Sequence, residues 1–152
     1  MIHCEKHNHC ISTAIKHGEE ICNEKGLKFT AIRRKVLELV WESHKPAKAY
    51  DILEKLAKED GAPVPPTVYR ALDFLLQNGL VHRLNSLNAF VGCSHPGLHK
   101  QCYFLICTHC EEVTECCTNQ LGKAIGVSAK ENSFTTESVS LEILGSCQAC
   151  SA

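Results

Sequence analysis

The chain has 152 residues, 44% of them apolar and 22% charged, with a net charge of −1. That fits one ordinary domain or two small ones and excludes global disorder. No apolar run reaches membrane-span length, and the polar start Met1-Ile2-His3-Cys4-Glu5-Lys6-His7 lacks a signal peptide's apolar stretch, so a cytoplasmic, membrane-free protein is expected.

In chain order, residues 1–10 read as a Cys/His-rich tail in which His3, Cys4, His7, His9 and Cys10 either stay disordered or capture metal. A first helix is capped by Ser12 and stopped by Gly26. Thr30 precedes a second, with a stripe of Ile32, Val36, Leu37, Leu39 and Val40. After Pro46 a third runs from Ala49 to about Glu59, presenting Ile52, Leu53 and Leu56 on one face. The loop Gly61–Pro66 follows. Pro66 fits the first turn of a fourth helix, which continues to about Gln77 and ends at Asn78-Gly79. Leu80–Leu84 and Asn88–Gly92 then read as a hairpin.

Helix–helix–helix–hairpin is the order of a winged helix, whose last helix enters the DNA major groove. Residues 11–92 are therefore expected to form a winged-helix DNA-binding domain and 93–100 a hinge. Residues 101–152 are expected to form an α/β domain with strands at Tyr103–Ile106, Val113–Cys116 and Val139–Leu144 and a helix over Gln120–Val127. The fold class is α+β. Residues 1–84 carry 13 Lys+Arg and 11 Asp+Glu, a net of +2, whereas 85–152 carry 3 and 6, a net of −3, so the first half is the side suited to a polyanion.

Eleven cysteines and nine histidines point to metal rather than disulfides in a reducing compartment. Cys107-Thr108-His109-Cys110 and Cys147-Gln148-Ala149-Cys150 are two C-x-x-C turns separated by residues 111–146. Each turn brings two thiolates within reach of one ion, and together they complete a tetrahedral Cys4 shell for structural zinc. A redox dithiol or ordinary buried cysteines are the plainer alternative for one such pair, less so for two. A second set of ligand-type residues, His82, Cys93, His95, His99, Cys102, His109 and Glu115, gathers around the hinge. Its mixed N/S/O donors suit a weaker, responsive site.

On the fourth helix, Thr67, Tyr69 and Arg70 lie near the N-terminus, where a recognition helix reads bases, and Arg70 can donate two hydrogen bonds to a guanine edge. Lys28, Arg33 and Arg34 can neutralise phosphate.

The segment Pro66-Thr67-Val68-Tyr69-Arg70-Ala71-Leu72-Asp73-Phe74-Leu75 strongly resembles the recognition-helix motif of the ferric uptake regulator family. Ala49-Tyr50-Asp51-Ile52-Leu53 resembles the helix before it, and the two C-x-x-C pairs match the family's structural site. The resemblance runs from about Ile15 to Cys150 and is nearest to the zinc uptake regulator branch. It implies a homodimeric, zinc-responsive repressor of zinc uptake genes that binds a palindromic DNA operator. It also implies two Zn2+ per subunit, one structural and one regulatory, a C-terminal dimerisation domain and no small-molecule substrate.

The branch's regulatory ligands fall on His82, Cys93, His99 and Glu115, and Tyr50 falls on a residue that reaches DNA. From His99 to Cys107 the spacing is one residue longer than in the branch, with Cys102 inside that stretch, so His95 and Cys102 are alternates for His99. The iron-type H-H-x-H motif is absent. Alternatives within the family are an iron or a peroxide sensor. In another class they are a zinc-dependent enzyme or thiol oxidoreductase, although four hinge donors close a shell that hydrolysis would need open, so no enzyme is expected.

Overall fold

The computed structural model describes residues 7–61, 65–96 and 102–152. The expected tail residues His3 and Cys4, most of the loop after Gly61, and His99 lie outside them. The chain forms two compact units, one ending at Ser94 and the other starting at His95.

The N-terminal unit begins with helix α1, His7–Lys25. The helix starts earlier than expected, so His7, His9 and Cys10 are helical. Ser12 is not its cap, because its hydroxyl donates to the His9 carbonyl inside the helix. Gly26, at φ +65°, ends it in the left-handed conformation. There the Leu27 amide donates to the Cys22 carbonyl at 2.8 Å and the Gly26 amide to Asn23 at 3.3 Å, the paired bonds of a Schellman stop. Helix α2, Ala31–Trp41, is capped by the Thr30 hydroxyl accepting from the Arg33 amide. Helix α3 is Ala49–Asp60 and helix α4 is Pro65–Gln77. Gly79, at φ +69°, stops α4 as Gly26 stops α1, with the Leu80 amide on the Leu75 carbonyl at 2.9 Å.

Strands β1, Val81–Leu84, and β2, Ala89–Gly92, pair antiparallel. A third short segment joins them: the amide and carbonyl of Ala47 exchange 2.8 Å bonds with Phe90. Buried Val36, Leu37, Ile52, Leu56, Leu72, Leu75 and Val81 form one core shared by α2, α3, α4 and the hairpin. Gly92 lies against Trp41, where an added Cβ would come within 2.1 Å of the indole. This is the helix–helix–helix–wing arrangement the sequence predicts, with the wing thickened by Ala47.

The C-terminal unit has strands β3, Cys102–Cys107, and β4, Val113–Cys117, helix α5, Asn119–Glu131, strand β5, Glu142–Gly145, and the short helix α6, Gln148–Ser151. The sheet order is β4-β3-β5, with β4 antiparallel and β5 parallel to β3. The Thr118 hydroxyl caps α5, which runs four residues past the expected end. Val139 lies outside β5, which is shorter than expected. Among the described apolar residues of this unit only Phe104, Ile106 and Cys107 are buried, while Leu105, Val127, Phe134, Val139, Ile143 and Leu144 are exposed. Leu105 and Ile143 face each other in register across β3 and β5. No helix among the described residues is long and apolar enough to cross a membrane.

Candidate metal centres and nucleic-acid interface

The four C-x-x-C sulfurs converge. Cys107 ends β3, and the turn after it is tightened by the Cys107 amide donating to the Glu112 carbonyl and by Glu111 at φ +58°. In the second pair Cys147 stands at the N-terminal end of α6 and Cys150 lies within it, and the pair is tied to the first: the Thr108 amide donates to the Gly145 carbonyl at 2.8 Å, and the Cys147 amide to Cys107 Sγ at 3.4 Å. All four sulfurs lie within 4.8 Å of one another, with Cys110 Sγ and Cys147 Sγ 3.8 Å apart. A tetrahedral ion with Zn–S bonds of about 2.3 Å separates its sulfurs by about 3.75 Å, so the spacing fits zinc.

Backbone N–H groups of Cys147, Cys110 and His109 bring the Cys107 thiol down to about 6. Hydrogen bonds that the Cys150 thiol donates to the Cys147, Cys110 and Cys107 sulfurs push it up to about 12. A divalent ion would replace the shared protons of this cluster.

The hinge-region ligands divide between the units. In the N-terminal unit His82 is on β1 and Cys93 just follows β2. Leu80 lies across the ladder from Cys93, whose amide it receives at 3.0 Å, so His82, two residues on, shares the face of Cys93. Their ligand atoms lie within 4.8 Å of each other, and His82 is the one buried polar or charged side chain among the described residues, at 8% exposure.

In the C-terminal unit Glu115 is on β4, where its carboxylate, the His95 ring and Cys117 Sγ also come within 4.8 Å. Of the two alternates for His99, Cys102 is joined to Cys117 by a disulfide and so is no thiolate donor in this state. Cys117 is its partner. Cys22 is a core residue of α1, and burial pushes its thiol up. Nothing in the sequence marked the Cys102–Cys117 pairing, because it depends on the β3/β4 register.

On α4, Val68, Ala71, Leu72 and Leu75 are buried, and Tyr69 and Arg70 face outward; Thr67 is half-buried. Tyr50, at the start of α3, is 73% exposed. Lys28 is exposed. Arg33 and Arg34 are engaged within the unit. Arg33 stacks 3.6 Å over Phe74 and donates to the Lys28 carbonyl, and Arg34 pairs with Glu19. Both hold α1, α2 and α4 together, which leaves Lys28 as the less committed cation of the three.

Comparison with known proteins agrees with this geometry. The zinc uptake regulation protein of Escherichia coli (strain K12) is 34% identical over 138 residues, covering 90% of this chain and 80% of its own. The protein of the same description from Shigella flexneri matches equally. Among solved structures, a zinc uptake regulator complexed with zinc and DNA superposes with a TM-score of 0.87 at 32% identity, covering 93% of this chain and 95% of that one. Holo XcZur superposes with a TM-score of 0.82 at 40% identity, covering 90% and 96%. Residues 24–144 match the ferric uptake regulator family, and the chain belongs to that family.

Proposed function

We propose that the protein is a zinc-responsive DNA-binding transcriptional repressor of zinc uptake genes, working in the cytoplasm as a zinc-loaded homodimer on palindromic operators. The observation that carries this reading is one chain with an outward Tyr69/Arg70 stripe on α4, a four-sulfur cluster of zinc dimensions, and a buried His82–Cys93 pair at the end of its wing. Its similarity to zinc uptake regulators, one of them bound to zinc and DNA, supports the same reading over an enzyme.

Each subunit holds two zinc ions in this account. Cys107, Cys110, Cys147 and Cys150 take the structural one. His82, Cys93, His99 and Glu115 take the regulatory one, with donors from both units. An ion held in that second shell would supply a cross-link. His82 and Cys93 anchor it to the wing, and His99 and Glu115 to the C-terminal unit. The exposed Leu105, Ile143 and Leu144 supply apolar area for a second copy.

A ligand shifts a conformational equilibrium only through its differential affinity for the two states. In this proposal the DNA-competent state would bind the regulatory ion more tightly than the other state does. Arg70 and Tyr69 then read base edges, Thr67 and Tyr50 contact the same duplex, and Lys28 meets phosphate, with Arg33 held back by Phe74. Stripping the protein of metal and testing which ion restores operator binding discriminates the zinc reading. Zinc should restore it at the lowest free concentration, and restoration by ferrous iron alone would replace it with an iron sensor.

A further inference from the structure

Cys102 and Cys117 are register partners at one end of the β3/β4 ladder, and their sulfurs are bonded. Glu115 and Cys117 are two apart on β4 and so share a face. His95 Nδ1 is 3.7 Å from Cys117 Sγ, and Glu115 Oε1 is 3.9 Å from it. Donors bound tetrahedrally to zinc, at about 2.0–2.1 Å for nitrogen or oxygen and about 2.3 Å for sulfur, stand about 3.6 Å apart. The cluster thus has near-zinc dimensions around a sulfur that the disulfide withholds.

We propose that His95, Cys117 and Cys102 form a thiol-gated zinc site in the C-terminal unit, distinct from the Cys4 shell and from the shell of His82, Cys93, His99 and Glu115. The residues that stand as alternates to His99 then belong to a centre of their own. The gate is a two-electron exchange. A dithiol reductant gives two electrons and two protons, the Cys102–Cys117 S–S bond breaks, two thiols form, and the reductant leaves as its own disulfide. On binding zinc the thiols release their protons to solvent and become thiolate ligands. Re-oxidation by a disulfide oxidant reverses the electron flow and expels the ion. The half-buried cysteines sit at a strand end beside exposed His95, so reductant and metal can both reach them.

The test counts zinc on the full-length protein. One sample is oxidised with a disulfide compound, and peptide mapping checks the Cys102–Cys117 link. A second is reduced with a dithiol that is then removed. Reduced protein should hold one more zinc per chain than oxidised protein. Cys117→Ser and Cys102→Ser should each abolish that difference while keeping the Cys4 ion. His95→Ala, at an exposed position where folding is not at stake, should weaken the extra ion at least about tenfold. His82→Ala should keep the extra ion while losing the proposed regulatory one, which tells the two sites apart. Equal zinc content in both redox states, a gain that survives Cys117→Ser, or the absence of a Cys102–Cys117 link after oxidation would each overturn the proposal.

Discussion

Replacing Cys110 with alanine should unfold the C-terminal unit and leave the N-terminal one standing. In a single chain, the described apolar core of the C-terminal unit is Phe104, Ile106 and Cys107. Full burial of Phe104 and Ile106 contributes about 3–6 kcal/mol at about 1.5–3 kcal/mol per side chain. A structural zinc site contributes about 10–16 kcal/mol in small zinc domains at neutral pH, so the ion outweighs the core. Removing one of four thiolates leaves three crowded sulfurs around an open position and loses much of that contribution.

The N-terminal unit has its own core of Val36, Leu37, Leu72, Leu75 and others, independent of metal. It also carries the chain's one tryptophan, Trp41. Tryptophan emission should therefore stay native in Cys110→Ala, while amides of β3, β4 and β5 lose hydrogen-exchange protection and the protein elutes as a monomer. A zinc-free variant with native protection across those strands would refute the assignment of the ion as the main stabiliser.

Arg70→Ala should weaken operator binding by about 1–3 kcal/mol and relax specificity at one base position, read by titrating a matched and a mismatched operator. Lys28→Ala should instead lower the slope of log affinity against log salt by about 1, with little change in specificity. Gly92→Ala should cost about 1–3 kcal/mol in denaturant unfolding of the N-terminal unit, because the new Cβ meets rigid Trp41. A full Cβ accommodated at no cost would show that the indole moves freely.

The fourth helix was legible because its ends are chemical: proline at the first turn and Asn78-Gly79 at the stop. The four structural sulfurs were legible because a C-x-x-C turn is local. What the sequence did not reveal is what register and context decide. Ala47 follows Pro46 and carries no strand signal, yet it pairs with Phe90 because the wing leaves that edge open. Helix α1 takes in His7–Cys10 although those residues form no apolar stripe, since helices extend where capping and propensity allow. The Cys102–Cys117 bond depends on one ladder position, and a slip of one residue would point one of the two sulfurs to the other face. His82 and Cys93 read as two scattered donors, and the antiparallel pairing of β1 and β2 makes them neighbours.

The central claim is that zinc and operator binding are coupled, and by linkage each must tighten the other by the same factor. The direct measurement is operator affinity across buffered free zinc, made on the wild type and on His82→Ala with the Cys4 site loaded. The account predicts that wild-type affinity rises with free zinc to a plateau, and that His82→Ala stays at the low-zinc value throughout. Operator affinity independent of free zinc in the wild type, or a full zinc response in His82→Ala, would contradict it.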